Sequence, residues 1–434
     1  MRYSTIFFMT MAAVSSSYLH AGLSLTDAVD EAIQNDNWNR SNHYQEQATR
    51  AEALASGQLP DPKLRLALAN LPLDSFDLQQ ENMTQLQFGV SQQFPRGDSL
   101  SLREQRFNRM ADQNRFQRWE RRARLKRDIS LAWLALHQTE EQLQKLQQKS
   151  HLFTELVTIS RANFRSGTIR RYELIDAELQ LTRLQERIVL LQQQRAQQRA
   201  QLSQWVDPKQ LAEALPLTFT LPVIQRSQTT QSEREKAILL HPQVKILQQE
   251  IEVRQKGIEL AEQAYKPGFK LDANYGYRGD HPKGQERSDF FSVALTMDLP
   301  LFTEKRQDAR RNAAIQKREA GREMRLLKIR ELQSGMQAAL ATKKGVEQRL
   351  SIYNQRYLQQ LSAKRQSAMH AYAANDARFT DVASAAISEL ENQLQRIVLV
   401  HEQAKAQLQI NYFLAGIDPA LTTDQVQSAK EVRP

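Results

Sequence analysis

Side chains that could carry out chemistry are few and scattered along the 434-residue sequence. Cysteine is absent, which excludes disulfides and thiolate metal ligands. The 8 histidines form no His-x-x-x-His pair, there is no Gly-rich phosphate loop, and no cluster of Met, His or carboxylate residues stands out. The sequence therefore predicts no catalytic residue, no cofactor and no metal site, and we predict that the protein is not an enzyme.

Basic residues outnumber acidic ones by 59 to 49, which gives a net charge of +10. The densest basic run extends from Arg118 to Arg127 and includes Arg121, Arg122, Arg124 and Lys126. Nucleic-acid binding would require both a suitable fold around this charge and a compartment that holds nucleic acid. The N-terminus argues against that compartment, so we expect no nucleic-acid partner.

The N-terminus has the pattern of a secretory signal peptide. Arg2 supplies the positive charge, residues 5–14 are apolar, and Leu19, His20 and Ala21 form a small-residue cleavage site, which predicts a signal peptide over 1–21. The remaining sequence contains no apolar run near the roughly 20 residues of a membrane helix. An exported chain of this kind is a soluble periplasmic protein, an extracellular protein or a β-barrel protein of the outer membrane.

Proline and glycine define the elements that must position any site. All 13 prolines lie outside residues 96–207 and 301–418, so both stretches are predicted to be helical, because proline inside a helix costs about 3 kcal/mol. Gly167 is the only glycine within 98–207 and marks a hairpin turn. The outgoing helix from Pro95 to this turn would be on the order of 100 Å long.

Apolar residues at heptad spacing predict that these helices pack as hairpins. After the turn they are Leu174, Leu181, Ile188 and Leu202, with Ala177, Leu184, Leu191 and Trp205 in the second core position. The outgoing helix carries a matching stripe of Leu136, Leu143, Leu146, Phe153 and Leu156. Arg195 and Gln198 interrupt the heptads with a polar layer.

Recurring landmarks indicate a duplicated chain. The pairs Ala32/Ala237, Pro62/Pro267 and Pro95/Pro300 are each 205 residues apart. We predict a first repeat over 22–227 and a second over 228–434. Each has a helix, a β-hairpin (63–95 or 268–300) and a long helical hairpin, with tips near 167 and 374.

Alternating apolar residues predict four strands in the two β-hairpins. They are Leu64, Leu66, Leu68; Leu86, Phe88, Val90; Phe269, Leu271, Ala273, Tyr275, Tyr277; and Phe291, Val293, Leu295, Met297, Leu299. Each strand is near the 9–11 residues, roughly, that cross a bilayer at a tilt. Four strands cannot close a membrane barrel, so the chain must oligomerise if they cross a membrane.

The sequence resembles the TolC family of outer-membrane efflux channels over essentially the whole mature chain. The resemblance rests on the duplicated order of elements, on the tip segments 164–177 (FRSGTIRRYELIDA) and 372–382 (YAANDARFTDV), and on 411–416 (NYFLAG). Residues 59–64 (LPDPKL), 70–72 (NLP) and 92–97 (QQFPRG) resemble the branch that serves heavy-metal efflux pumps.

The resemblance implies a mainly α fold with a small β part. Three chains would form a periplasmic α-barrel and a 12-stranded transmembrane β-barrel. It also implies a passive efflux channel of the outer membrane that extends into the periplasm. Its partners would be a periplasmic adaptor protein, an inner-membrane pump of the RND type and outer-membrane lipid, and its cargo heavy-metal cations or drugs.

The resemblance also assigns roles to the two tips. Asp381 takes the position of a gate carboxylate, Asp176 is its predicted first-half counterpart, and Ser384 stands where the family has a further carboxylate. The adaptor-docking residues would be Gly167, Arg165, Arg170, Arg171 and Ala374. The alternative function is a soluble periplasmic coiled-coil adaptor or scaffold, whose strands would pair in a small β-domain.

Overall fold

The computed structural model describes residues 23–213, 215–216, 218–221, 229–374 and 376–418. The predicted signal peptide over 1–21 lies outside these residues. Long α-helices and one four-stranded sheet make up most of the described chain. The helices are α1 Leu25–Gln34, α2 Asn37–Ser56, α3 Ser99–Arg165, α4 Arg171–Leu202, α5 Pro208–Ala212, α6 Gln231–Leu239, α7 Pro242–Glu262, α8 Gln307–Ile352, α9 Leu358–Ala373 and α10 Phe379–Phe413.

The sheet has the strand order β1-β2-β3-β4 and is antiparallel throughout. Its strands are β1 Lys63–Ala69, β2 Gln85–Phe94, β3 Phe269–Tyr277 and β4 Phe290–Met297. The central pairing of β2 with β3 aligns Phe88 with Tyr275 and joins the hairpin of one sequence half to that of the other. Among the described residues, no helix is both long and apolar enough to span a bilayer.

The chain forms two compact units, each built from three separated segments. Unit 1 contains the chain up to Asn35, Asp128–Pro222 and Lys343–Leu408. Unit 2 contains Asp36–Arg127, Val223–Thr342 and the chain from Gln409. Each unit therefore draws on both sequence halves.

The core of unit 1 contains several of the predicted heptad residues. Leu184 and Leu191 of α4 pack with Leu143, Leu146 and Phe153 of α3 and with Leu390, Leu394 and Ile397 of α10. Leu181 and Ile188 are partly buried against this cluster. The predicted packing of the returning helix on the outgoing one is confirmed.

Basic residues of the Arg118–Arg127 run in α3 form ion pairs within unit 2. Arg118 forms an ion pair with Glu46 at 2.6 Å, and Arg121 pairs with Asp36 at 2.9 Å. Lys126 lies 3.4 Å from Asp418. These basic side chains therefore have acidic partners on neighbouring elements of their own unit.

Two helical stretches are less regular than the sequence predicts. The helix predicted at the start of the second repeat is divided into α6 and α7, because Pro242 begins a new helix whose N-cap is His241. A π-helical turn over Tyr353–Tyr357 separates α8 from α9. Pro216 and Pro222 also predict a short strand or an irregular patch over 215–226, of which residues 217 and 222–226 lie outside the described chain.

Candidate functional site

The first helical tip is a tight turn between α3 and α4. Gly167 has a φ of +76°, in the left-handed region that favours glycine. Its N–H donates to the carbonyl of Phe164 at 3.1 Å, and the N–H of Thr168 donates to that of Asn163 at 2.9 Å. The Glu173 carboxylate accepts a hydrogen bond from the backbone N–H of Arg170 at 2.9 Å, which caps the start of α4.

The second tip joins α9 to α10. The N–H of Ala374 donates to the carbonyl of His370 at 3.0 Å and ends the outgoing helix. The Asp381 carboxylate accepts from the backbone N–H of Arg378 at 3.1 Å. Its side chain is half-exposed, with the Arg378 guanidinium at 4.0 Å.

Both tips use the same capping arrangement, an arginine followed three residues later by a carboxylate. By this criterion the position equivalent to Asp381 is Glu173, whereas Asp176 lies nearly one turn further along α4. Glu173, Asp176 and Ser384 line one cavity of about 70 Å³ between the tips. The structure thus brings these three residues together.

The two tips contact each other through polar and aromatic side chains. The Arg378 guanidinium lies 3.9 Å from the buried Glu173 carboxylate, and Asn163 donates to the Tyr372 hydroxyl at 3.3 Å. The rings of Tyr372 and Phe379 meet edge to face at 5.6 Å. The predicted docking residues Arg165, Arg170 and Arg171 are exposed and form no ion pair with any described residue.

The sheet presents one apolar and one polar face. Strand register aligns Leu66, Phe88, Tyr275 and Phe291 in one cross-strand row, and Leu64, Val90, Ala273 and Val293 in the next. The side chains of these rows lie on the same face of the sheet, which we call the apolar face. The opposite side, which we call the polar face, carries Arg65, Gln87, Ser91, Asp272, Asn274, Ser292 and Thr296.

The apolar face is open in the single chain. Leu64 is 73% exposed and Phe291 is 71% exposed, although both are large and apolar. Strands β1 and β4 form the two edges, and no other strand of the described residues pairs with them. A sheet with an exposed apolar face and two open edges is incomplete in water.

A buried histidine pair lies in unit 1, where sequence reasoning found no cluster. The His137 Nδ1 atom lies 2.8 Å from the His401 Nε2 atom, and the Glu141 carboxylate lies 3.9 Å from the latter. Burial lowers the pKa of both imidazoles, that of His401 to about 4. Since 264 residues separate the two histidines, their spacing gave no signal. Only His137 and Glu141, one helical turn apart, could have suggested a pair.

Solved outer-membrane channels resemble this chain over nearly its whole length. CusC, whose structures concern transmembrane channel formation, matches with a TM-score of 0.72 and 15% identity over 91% of this chain and 92% of its own. The outer membrane protein VceC of Vibrio cholerae matches with a TM-score of 0.73 and 14% identity over 90% of this chain and 96% of its own. The CmeC outer membrane channel of Campylobacter jejuni matches with a TM-score of 0.74 and 13% identity over 94% of this chain and 88% of its own.

These similarities show that the chain has the fold of outer-membrane channels. The predicted fold class, mainly α with a small β part, is confirmed. No family model and no curated protein matches the sequence.

Proposed function

We propose that this chain, which has the fold of outer-membrane channels, is one subunit of a homotrimeric efflux channel of the TolC type. The four-stranded sheets of three chains would combine into a 12-stranded β-barrel in the outer membrane, and the long helices of the three chains would enclose a tunnel through the periplasm. Such a channel conducts passively and carries out no reaction.

The observation that carries the proposal is the two-faced sheet with open edges. In a bilayer every backbone N–H and C=O must be paired, so a membrane sheet has to close on itself. Neighbouring copies would pair β4 with β1 and remove both edges. The apolar face would then meet lipid, and the polar face would line water.

The partners follow from the same proposal. The exposed turns near Gly167 and Ala374 would dock on a periplasmic adaptor, with Arg165, Arg170 and Arg171 offering positive charge to an acidic adaptor surface. Three copies of Asp381, together with Asp176, would narrow the tunnel at its periplasmic end. An inner-membrane pump of the RND type would supply the energy.

The test is to express the full-length chain and measure its membrane state and conductance. We expect a heat-labile trimer in outer-membrane fractions and single-channel currents in planar bilayers. We also expect protease added to intact cells to cleave within 74–82 or 278–288. A soluble monomer in periplasmic extracts would refute the proposal, and it is what the soluble adaptor alternative requires. That alternative also needs a partner that covers the apolar face in water, because no described element of the single chain covers it.

The cargo needs its own measurement, because a channel need not bind what it conducts. On the sequence resemblance of residues 59–64, 70–72 and 92–97, we propose heavy-metal cations. A deletion strain should then become sensitive to metal salts. Sensitivity to drugs alone would assign the channel to a drug pump and leave the channel proposal intact.

A further inference from the structure

We propose that His137, His401 and Glu141 bind one divalent transition-metal ion of the zinc type. The site lies inside unit 1 between α3 and α10. It is independent of the proposed channel function, because the ion would be a fixed structural component and not cargo.

The hydrogen bonds of the two rings determine where their lone pairs point. His137 Nε2 lies 2.9 Å from the carbonyl oxygen of Pro216, and His401 Nδ1 lies 2.8 Å from that of Ile397. A carbonyl can only accept, so each of these nitrogens carries the ring's proton. The neutral rings therefore direct lone pairs from His137 Nδ1 and His401 Nε2 toward the same space.

Two facing lone pairs 2.8 Å apart repel each other unless something lies between or beside them. A metal ion that accepts both pairs removes this conflict. Metal-binding histidines commonly donate the second ring N–H to a backbone carbonyl, which fixes the tautomer and the ring orientation. Both histidines already have this arrangement.

The third ligand is the Glu141 carboxylate. The candidate ligand atoms of the three residues all lie within 4.8 Å of one another. A tetrahedral zinc ion with Zn–N bonds of about 2.0–2.1 Å holds its two nitrogens roughly 3.3 Å apart. The rings must therefore separate by roughly half an ångström, which needs no change of backbone fold.

The donor set favours borderline metal ions. Two imidazole nitrogens and one carboxylate suit Zn²⁺, Cu²⁺ or Ni²⁺, whereas Mg²⁺ and Ca²⁺ prefer sites made of oxygen alone. A water molecule would complete the coordination, and the site has access to one. A cavity of about 410 Å³ beside His137 and Glu141 is lined also by Arg195 and Pro216.

The surroundings hold the rings but leave Glu141 free to move. Trp133 stacks on His137 at 5.0 Å, and Phe219 contacts both imidazoles. Of the neighbouring charged side chains, Arg199 pairs with Glu140 at 2.6 Å, and Lys405 donates to Gln138 at 2.9 Å. The Glu141 side chain is 40% exposed, so it can turn toward the metal.

Zinc binding by the full-length protein tests the proposal directly. The protein is stripped with a chelator and dialysed against Zn²⁺, and its metal content is measured by mass spectrometry. We expect one zinc per chain. X-ray absorption should then find two imidazole nitrogens at about 2.0–2.1 Å from the metal.

Glu141→Gln is the informative variant, because its partly exposed position should leave folding intact. We expect zinc affinity to fall at least tenfold in Glu141→Gln and binding to be lost in His401→Gln. His241→Asn, which removes a buried histidine of unit 2, is the matched control and should keep full affinity. If the wild-type protein binds no more zinc than His401→Gln, the proposal is wrong, and the imidazoles share a proton instead.

Discussion

At the scale of single residues, Asp381 combines a local contact with its proposed gate role. Its carboxylate caps α10 by accepting the Arg378 N–H, and half of the side chain remains open to solvent. Capping uses one carboxylate oxygen, so the charge is still available at the tip. The two roles can be separated because asparagine keeps the acceptor and removes the charge.

We predict that Asp381→Asn raises single-channel conductance and lowers cation selectivity. In the proposed trimer, three Asp381 carboxylates would lie near the threefold axis, where they would repel anions and slow cations by binding them. The substitution would remove both effects. Asp376→Asn, an exposed carboxylate in the same turn, is the control and should change neither quantity. Equal conductance of wild type and Asp381→Asn would exclude the gate role.

His241 makes stability depend on pH. Burial lowers the pKa of His241 to about 4, below the ordinary value of 6.5. Between these values the unfolded chain takes up a proton that the folded chain does not, so the free energy of unfolding falls as pH falls from 6.5 to 4. Protonation of this residue lowers the free energy of unfolding by about 3 kcal/mol in total, and the loss does not grow below pH 4.

The His241→Asn variant should show a weaker pH dependence over this window. Asparagine can replace the Nδ1 atom that accepts the Gln243 N–H at 3.3 Å, but it does not titrate. Urea unfolding at pH 7, 5.5 and 4.5 measures the effect. The stability difference between wild type and variant should shrink toward pH 4, and a constant difference would contradict the prediction.

Residue pairs far apart in sequence mark the limit of sequence reasoning at this scale. Gly167 could be found as a turn because it is the only glycine in a long helical stretch. Glu173 could not be matched to Asp381 from the sequence. The start of α4 at Arg171 and the start of α10 at Phe379 lie further apart in sequence than the members of each proline pair, so the spacing of the prolines does not align the two carboxylates. The His137–His401 pair depends on tertiary packing alone.

At the scale of elements, the turn at Gly167 is maintained by backbone conformation. No atom lies within 4 Å of the place where a Cβ would be, so a larger residue meets no steric clash. Its φ of +76° still disfavours any residue with a Cβ. The sequence of the turn is therefore constrained by torsion angle and not by space.

We predict that Gly167→Ala destabilises the first tip by about 1–2 kcal/mol. Hydrogen exchange at the amides of Gly167 and Thr168 measures the loss locally. Gly345→Ala is the matched control, because Gly345 lies inside α8 and also has open space around it. This control should stabilise by about 0.5–1 kcal/mol, since alanine favours helix. Equal effects of the two substitutions would refute the torsional explanation.

The elements themselves were largely predictable from pattern. Proline-free stretches gave the long helices, and alternation gave the four strands, because both patterns act locally. The division between α6 and α7 was missed, although Pro242 favours the first turn of a helix. The π turn at Tyr353–Tyr357 has no local signal in the sequence.

At the scale of the whole molecule, the sheet decides whether the chain can enter a membrane. Val293 lies on the apolar face and is 61% exposed, while its neighbour Ser292 lies on the polar face. The two positions share one strand and differ only in the face they occupy. They therefore provide a matched pair for testing the barrel.

We predict that Val293→Lys blocks trimer assembly in the outer membrane, whereas Ser292→Lys does not. A lysine facing lipid near mid-membrane costs about 2–4 kcal/mol per chain, whereas one facing water costs little. Heat-labile trimers in membrane fractions measure assembly, and bilayer recordings of Ser292→Lys should show reduced cation selectivity. Equal assembly of both variants would exclude a barrel with these faces.

The composition of the two units determines when the chain can finish folding. Unit 1 requires Lys343–Leu408, and the core of unit 2 requires Ile410 and Leu414 to pack with Ala237 and Leu332. A growing chain therefore cannot complete either unit until its C-terminal part has been synthesised. Folding chaperones thus have a long window in which to act, and a premature stop codon before Leu408 leaves a product in which neither unit is complete.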